Sequence, residues 1–561
     1  MFDIIIFFTF YYIILLSIIG YGIFFHNICF SSLKSLSEPQ SIYIGFYGLF
    51  FITLISLFTS IFVPHSFFHN IIILIFGIFA FFRIQINGKK KFIKIIFFLS
   101  LFFISALLIS KTHDDFSYYH LPFTKYLTEQ KVIFGMGHLN HGYNLLSSLF
   151  FLNSVFYLPF IEYYSFHFTL IIFLIFFNYF IFKEILYTKN SDIIKYLYLF
   201  SLIFFNLSFN RLAEYGTDKA GQLLIVLVII KLIQNVCFSK EKNRADKILF
   251  LIPLLAFCIS LKTYFLPYML LGILVIFLYF RSFKILNLIF YSKSFAFFLL
   301  LLALNFIHHF ISTGCIISPL PYTCFGESVI WGKDIEVINN LSVWLEQWAK
   351  AGAGPNFRVD NVEEYLVNFN WVSNWFDKYF LVKFLDQLAI LLTSFLLIFL
   401  IYKKFELKND KFFLNKKIYY FYFTILIIFL IWFCKHPTLR YGGYSVVFLT
   451  LSIPVTIIFE NFKNRKFFFK RSIFLVIFVS ILFNVKNLNR INKEFERGDL
   501  YQFKNFPFYA IQDKKFSKKR FESGLIIYAA HHCWATKSPC GHLSEELDVI
   551  KLNSYYFIIK N

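Results

Sequence analysis

The amino-acid sequence predicts an all-α polytopic transmembrane protein of about 14 spans, with interfacial helices on its outer face and a small extracytoplasmic C-terminal α+β tail. Three observations predict it. The 561 residues are 58% hydrophobic and 15% charged, whereas soluble domains contain about 25% charged residues. Apolar runs long enough to cross a bilayer recur along the chain. Lys and Arg cluster between these runs, so we attribute the net charge of +22 to cytoplasmic loops and expect no nucleic-acid partner.

A transmembrane helix needs about 20 apolar residues, and about 17–25 are tolerated. The first apolar run lacks a basic n-region and a small-residue cleavage site, so we expect no cleavable signal peptide. We divide the chain into an N-terminal three-span segment (1–91), a transmembrane core (92–485) with outer loops at 111–162 and 313–383, and a tail (486–561). The predicted spans lie near 3–25, 42–62, 68–83, 92–110, 163–182, 194–209, 221–236, 248–262, 265–281, 292–312, 384–402, 418–434, 443–460 and 470–485.

The basic connections orient these spans. Segments 83–94, 239–247, 403–417 and 461–471 are rich in Lys and Arg, and all fall on one side when the spans are counted in order. Positive loops mark the cytoplasmic side, so both termini are predicted to be extracytoplasmic. The apolar run 145–160 would reverse this order if it crossed, so we interpret it as a re-entrant or interfacial helix on the outer face.

Four cysteines fall in the predicted outer segments. Cys315 and Cys324 lie in loop 313–383, and Cys533 and Cys540 lie in the tail as CWATKSPC. An oxidising compartment permits disulfides, so we predict one bond in each pair. The alternative for the second pair is half of a metal site, but no second Cys or His pair accompanies it at zinc-finger spacing.

Charged residues gather at the outer ends of several spans. Asp114 and Asp115, in HDDFSYYH, follow the fourth span directly, while Lys262, His436 and Arg440 lie at the ends of later spans. A carboxylate can deprotonate an acceptor hydroxyl, and cations can hold a phosphate, Arg in a bidentate manner. We expect one aspartate, preferably Asp114, to be the general base and the other to orient the acceptor or bind a metal. The alternatives are a helix cap for the aspartates and a snorkelling helix anchor for Arg440.

A chain of many spans with an Asp-Asp pair at the start of its first large outer loop resembles the GT-C superfamily of membrane glycosyltransferases. It also resembles a group of bacterial membrane proteins that end in a CW…PC element. The resemblance implies transfer of a sugar from a polyprenyl-phosphate donor to a glycan, lipid or protein acceptor on the outer face of the bacterial inner membrane. Asp114 and Asp115 would be catalytic, and Arg440, Lys262 and His436 would bind the donor phosphate. Many GT-C enzymes carry the acidic pair after the first span, and here it follows about the fourth.

Further polar residues suggest an acceptor or secondary site. His120, Arg211, Glu214 and Asp218 lie in outer segments, although Glu214 and Asp218 could instead form local ion pairs with Arg211 and Lys219. A second hypothesis concerns His138 and His141, which with Asp115 are candidate ligands for a divalent metal, although interfacial histidines commonly just form hydrogen bonds. The five tryptophans of loop 313–383 are interpreted as an interfacial belt in preference to a sugar-stacking surface.

Three other functions stay open at this stage. A transporter or flippase of lipid-linked glycans needs ionisable residues inside its spans, and Lys231 is one of the few. A polymerase or ligase of surface polysaccharide shares the topology but would depend on outer Arg and His residues. A non-enzymatic scaffold would depend on none of them. The sequence has no Walker loop or GxSxG element where it could act, which disfavours ATP-driven transport and serine-hydrolase chemistry.

Overall fold

The computed structural model is mostly helical. Capping residues mark the two ends of the helix Lys293–Thr313. At its start the Ser292 side chain accepts a hydrogen bond from the Phe295 amide, and at its end Gly314 has a φ of 74°. The described residues are 2–31, 41–85, 88–109, 113–186, 192–209, 217–238, 244–354, 357–401, 415–460, 468–496 and 516–560.

The α-helices follow the predicted order of spans. They are α1 Phe2–Phe30, α2 Ser41–Ser60, α3 Phe67–Arg83, α4 Lys89–Phe102, α5 Leu121–Glu129, α6 Ser148–Ser154, α7 Phe168–Leu186, α8 Asp192–Ser208, α9 Thr217–Ile233, α10 Arg244–Leu249, α11 Ile252–Leu261, α12 Leu270–Tyr279, α13 Phe283–Phe290, α14 Lys293–Thr313, α15 Ile335–Ala349, α16 Val362–Leu366, α17 Val372–Trp375, α18 Leu385–Ile401, α19 Lys417–Lys435, α20 Tyr444–Glu460 and α21 Phe468–Glu496. Turns of 3₁₀ or π type extend several of them, at Ile104–Leu108, Phe116–His120, Met136–His138, His141–Asn144, Tyr163–His167, Gln234–Phe238, Thr263–Met269, Pro321–Thr323, Gly326–Ser328 and Phe376–Phe384.

Within the described residues, nine helical segments are long and apolar enough to cross a membrane. They are Ile4–Phe30, Ser41–Ser60, Tyr163–Leu186, Thr217–Phe238, Lys293–Thr313, Val372–Phe399, Lys417–Lys435, Leu439–Glu460 and Ile473–Lys493. The chain is therefore a multi-pass membrane protein, which confirms the predicted class. The remaining predicted spans coincide with shorter helices, so the count of about 14 stays a prediction.

The N-terminal helices pack closely on one another and on the core. In α1, a Cβ on Gly20 would lie 1.8 Å from the Gly77 carbonyl oxygen in α3, so glycine permits this approach of two backbones. The Tyr47 hydroxyl of α2 donates to the Phe250 carbonyl at 2.8 Å. Helix α2 also packs against α6 and α7, so the first three helices share one apolar core with the rest of the bundle.

Two boundaries differ from the sequence-based expectation. Segment 145–160 forms the seven-residue helix α6, which is buried against α2 and α5 and, at about 1.5 Å per residue, is far too short to cross a bilayer. Helix α21 continues to Glu496, so the first residues assigned to the tail are helical. The apolar run ends near 485, but a helix extends beyond it because its backbone hydrogen bonds do not require apolar side chains.

The C-terminal tail contains two small strand groups, as predicted. Strands β1 Ser517–Arg520 and β2 Ile526–Ala529 are antiparallel, β3 Cys540–Gly541 is parallel to β2, and β4 Leu547–Leu552 forms an antiparallel pair with β5 Tyr555–Lys560. The tail docks on the predicted outer loop 111–162, in the part between α5 and α6. The Phe134 amide donates to the Tyr556 carbonyl at 2.9 Å, and the Ile558 amide donates to the Phe134 carbonyl at 2.9 Å. The Tyr143 hydroxyl donates to the Cys540 carbonyl at 2.8 Å.

Candidate functional site

An ion network joins three distant parts of the chain at one end of the helical bundle. The Arg440 Nη2 donates to Asp115 Oδ2 at 2.6 Å, and the Arg440 Nε donates to Asp218 Oδ2 at 2.7 Å. All three side chains are largely buried, with exposed fractions of 18%, 24% and 13% for Arg440, Asp115 and Asp218. Charge-assisted bonds of this length are among the stronger hydrogen bonds in proteins. One guanidinium therefore bridges two carboxylates.

Each member of the network lies where a helix begins. Asp115 immediately precedes the helical turn Phe116–His120, and Asp218 lies in the first turn of α9, where a helix dipole favours a carboxylate. Asp218 was expected in a loop, but α9 starts at Thr217, four residues before the predicted span. A helix can start at such polar residues because Thr and Asp satisfy free amides at its first turn.

Arg440 belongs to the kinked segment Leu439–Gly443 that leads into α20. Gly442 has a φ of 86° there, a left-handed conformation that glycine adopts without strain. Gln222 of α9 fixes this segment, because its amide nitrogen donates to the carbonyls of Leu439 and Arg440 at 3.2 Å each. Its amide oxygen accepts from the Ser445 amide at 3.1 Å. The backbone that carries Arg440 is thus bonded to the helix that carries Asp218.

Further contacts tune the two carboxylates. The Tyr264 hydroxyl donates to Asp218 Oδ1 at 3.3 Å. The His113 Nδ1 lies 3.4 Å from Asp115 Oδ2. Burial raises the pKa of Asp115, but His113 and the Arg440 guanidinium lower it more, so the net pKa lies well below the usual range. Asp115 is therefore ionised at neutral pH and held by its cation.

A cavity of about 290 Å³ adjoins this network. Its charged lining consists of three cations, Lys219, Lys383 and Arg440, and two carboxylates, Asp218 and Asp386. Asp115, which is bonded to Arg440, adds a third carboxylate, so the cavity and its network together hold three cations and three carboxylates. The uncharged lining residues are His120, Thr217, Gln222, Trp348, Tyr379, Val382, Gln387, Leu439 and Tyr444.

The sequence predicts Lys219 only as a local ion-pair partner, but in the structure its contacts are with Tyr444 and Ser208. Its ammonium lies 3.1 Å from the centroid of the Tyr444 ring and donates to the Ser208 carbonyl at 3.2 Å. The residue is 4% exposed yet borders the cavity. The feature of the sequence that could have predicted this role is the position of Lys219, directly after Asp218 and at the start of a span. The contribution of Trp348, Tyr379 and Lys383 from loop 313–383 had no local signal, since they reach the cavity through the tertiary fold.

His120, predicted for a secondary site, lines this cavity and is 2% exposed. Burial lowers its pKa to about 3, and the nearby Asp115 carboxylate only partly opposes that effect. The imidazole is therefore neutral at pH 7, so one of its ring nitrogens can donate a hydrogen bond and the other can accept one. It adds a polar but uncharged surface beside Arg440.

We expect His120→Gln to weaken the acid sensitivity of the fold. The unfolded chain binds a proton at His120 below about pH 6.5, whereas the folded chain does so only near pH 3, so falling pH favours the unfolded state between these values. In the variant, the slope of unfolding free energy against pH should decrease by up to about 1.4 kcal/mol per pH unit. Unfolding in mixed detergent micelles at several pH values measures this slope. Parallel profiles for the two proteins would contradict the buried neutral state.

Asp114 and Lys262, which were also predicted for the site, do not line the cavity. Asp114, the aspartate that we expected to be the base, is exposed, and no side-chain ion pair of it is present among the described residues. Lys262 is 8% exposed and does not line the cavity. Burial lowers its pKa, Asp218 and Asp115 raise it, and Arg440 lowers it further, so it lies within electrostatic range of the network.

His436 is not brought to the cavity. It lines a smaller, separate pocket of about 70 Å³ with Lys435 and Tyr441, and its ring centroid lies 5.7 Å from that of Tyr441. Burial lowers the pKa of His436 to about 4. Two predicted residues, Arg211 and Glu214, lie outside the described residues.

The candidate metal ligands have separate partners. His138 Nε2 lies 3.2 Å from the Trp331 carbonyl oxygen, whereas His141 Nδ1 lies 2.8 Å from the Tyr118 hydroxyl. In the described part of the chain, no group of three His, Cys, Asp or Glu side chains could hold a metal ion. The predicted cysteine pairs, by contrast, are joined in the structure as Cys315–Cys324 and Cys533–Cys540.

Two of the five tryptophans of loop 313–383 are too buried to take part in the predicted interfacial belt, which for the loop as a whole stays a prediction. Trp371 and Trp375 are buried at 1% and 5% exposure, and Trp331 packs against Phe134 and Phe557. Trp348 faces the cavity and lies with its ring centroid 6.0 Å from the Arg440 guanidinium carbon. These rings serve the packing of the outer loop more than an interface with lipid.

Comparison with known families gives one match. A family model described as a domain of unknown function (DUF8201) matches residues 4–448. That range holds Asp115, Asp218 and Arg440 and ends before the tail. No curated protein and no solved structure matches the chain.

Proposed function

The chain belongs to the family described as a domain of unknown function (DUF8201), and from its site we propose that it is a GT-C-type membrane glycosyltransferase. It would transfer a sugar from a polyprenyl-phosphate donor to a glycan, lipid or protein acceptor. The observation that carries the proposal is the Arg440 guanidinium, which contacts Asp115 and Asp218 beside a cavity that Lys219 and Lys383 also line. In this arrangement a carboxylate suited to act as a base is in direct contact with a cation suited to bind phosphate.

The donor phosphate would enter the cavity, where Lys219 and Arg440 neutralise it. As Arg440 turns toward the phosphate, Asp115 loses the cation that keeps its pKa low and becomes a better base. The acceptor hydroxyl then gives its proton to Asp115 as its oxygen forms a bond with the anomeric carbon. The bond between that carbon and the phosphate oxygen breaks, and the polyprenyl phosphate leaves with the electron pair. Proton transfer by a positioned carboxylate typically contributes about 10²–10⁴-fold to a rate.

We further propose that the site faces the outside of a bacterial inner membrane, with about 14 spans and both termini on that side. This topology is supported by contacts between three segments that the count of predicted spans assigns to the same side of the membrane. Asp115 follows α4, Asp218 begins α9 and Arg440 precedes α20, and these ends meet. The two disulfides, one of them in the tail that docks at this end, fit an oxidising compartment.

Donor binding tests the proposal directly. We expect the full chain in lipid nanodiscs to bind decaprenyl phosphate, and Lys219→Gln and Arg440→Gln each to weaken binding by about 10-fold or more, because a charge-assisted bond to phosphate is lost. Titration monitored by intrinsic Trp fluorescence suits the assay, since Trp348 lines the cavity. Lys435→Gln is the matched control, because Lys435 is 64% exposed at the same end of the bundle. Equal affinity in all four proteins would contradict the phosphate site.

A second candidate is a transporter or flippase of lipid-linked glycans. It is favoured by one observation, the buried ion pair between Glu184 and Lys231 inside the bundle, with Nζ and Oε1 2.9 Å apart and each side chain 1% exposed. Charged groups inside a membrane bundle commonly mark substrate or ion pathways. The two candidates differ in product, since only the transferase releases free polyprenyl phosphate.

A further inference from the structure

Tyr118 stands at the centre of a group of histidine rings. Its hydroxyl lies 2.8 Å from His141 Nδ1 and 3.4 Å from His542 Nε2. Its ring centroid lies 5.4 Å from that of His531 and 5.8 Å from that of His532. We call Tyr118, His141, His531, His532 and His542 the ring cluster. No single stretch of sequence contains it.

The cluster is held together by contacts between the tail and the predicted outer loop 111–162. The Trp534 amide donates to the Ser117 carbonyl at 3.0 Å, and the His542 amide donates to the Leu139 carbonyl at 2.7 Å. The Ser117 hydroxyl lies 2.9 Å from His532 Nδ1. The Cys533–Cys540 disulfide closes the segment between His532 and His542. The rings are therefore fixed in place before any ligand arrives, which lowers the entropy lost on binding.

The cluster is open to solvent at three of its histidines. His141, His531 and His542 are exposed, and the neighbouring Trp344 ring is 36% exposed with its centroid 5.8 Å from that of His141. Burial is the main cause that lowers the pKa of His141 and that of His542. The nearby Lys333 cation lowers the pKa of His141 further, and His531 lowers that of His542 further. The surface thus presents flat ring faces together with hydrogen-bonding groups.

The cluster also borders the ion network. Tyr118 lies three residues after Asp115, in the same helical turn as His120, which lines the cavity. Burial and the Asp115 carboxylate together raise the pKa of Tyr118 to about 12, so its hydroxyl remains a donor. Asp115 is bonded to Arg440 and is within electrostatic range of both Tyr118 and His141. Asp115 thus joins Arg440, which lines the cavity, to the chain segment that carries Tyr118 of the ring cluster.

We propose that the ring cluster is the acceptor subsite and that it binds a sugar ring of a glycan, placing an acceptor hydroxyl at Asp115. This inference rests on the proposed transferase function and narrows its acceptor to a glycan. A pyranose has an apolar C–H face that packs on aromatic rings and an edge of hydroxyls that pairs with imidazole nitrogens and a phenol. A lipid tail would offer no hydroxyl groups to the phenol and imidazoles, and an anionic acceptor would meet no fixed cation within the cluster.

The test uses the full chain in nanodiscs and saturation-transfer NMR with four saccharides, namely chitotetraose, cellotetraose, maltotetraose and mannotetraose. We expect saturation transfer to at least one of them, reduced 5-fold or more by Tyr118→Leu and by His542→Ala. Tyr118→Phe, which keeps the ring, should retain part of the signal. Tyr322→Leu is the matched control, because Tyr322 is 82% exposed and lies outside the cluster.

Binding of decaprenyl phosphate to the same samples separates the possible failures. Phosphate binding without transfer to any saccharide would overturn the acceptor subsite and leave the proposed function standing. Loss of both would overturn both. Zn²⁺ binding that depends on His542, in a chain that binds no saccharide, would also overturn the inference and reassign the cluster to a metal.

Discussion

The Asp115→Asn variant is expected to lose release of polyprenyl phosphate by about 10²–10⁴-fold. An amide cannot take the proton of the acceptor hydroxyl, although it nearly matches the carboxylate in size. The variant should still fold, because Asp218 remains to pair with Arg440. The measurement is release of polyprenyl phosphate from a panel of polyprenyl-phosphate hexoses by membranes that carry equal amounts of each protein.

Asp114→Asn is the matched control, because it makes the same chemical change one residue away. Asp114 is exposed, so we expect its variant to retain activity within about 3-fold, as is typical of surface substitutions that disturb no network. The opposite result, an active Asp115→Asn and an inactive Asp114→Asn, would move the base to Asp114. Equal full activity in both variants would contradict a mechanism in which the Asp114–Asp115 pair supplies the base.

The position of the helices was predictable from the length of apolar runs. Membrane helices must satisfy their own backbone, so a run of apolar residues near the thickness of a bilayer dictates a helix. Helix ends were less predictable. Segment Thr217–Asp218 and the end of α21 at Glu496 are polar and helical, and composition alone assigns such residues to loops. Three of the four basic connections used for orientation lie mainly outside the described residues.

The site was predictable in its residue types and less so in its membership. Adjacent side chains on a helix point in different directions, so the sequence could not tell which aspartate faces the bundle. The partner of Asp115 is 325 residues away, and that contact depends on how spans pack. For the same reason Lys219 lines the cavity whereas Lys262 and His436 do not. The histidines of the tail reach Tyr118 only after the tail has docked.

The buried pair between Glu184 and Lys231 supports a second large prediction. Lys231→Met is expected to destabilise the chain by about 3–5 kcal/mol, because it leaves a carboxylate buried in the bundle without this cation. Glu184 lies near the end of α7 and Lys231 near the end of α9, and these two helices pack against each other. Unfolding in mixed dodecyl maltoside and SDS micelles measures the loss. Lys293→Met is the control, because Lys293 is exposed at the start of α14.

The double variant Glu184→Gln/Lys231→Met decides what the pair does. Removing both charges should recover most of the lost stability, since a buried ion pair replaced by neutral groups is often close to neutral in free energy. If the pair only holds α7 against α9, the double variant should also release polyprenyl phosphate at nearly the normal rate. A folded double variant that releases no polyprenyl phosphate would instead place the pair on the path by which substrate reaches the Arg440 network. The transporter would be favoured over the transferase if the unaltered protein released no polyprenyl phosphate and the double variant lost translocation of a lipid-linked glycan, because the pair lies in the bundle and not at the Arg440 network.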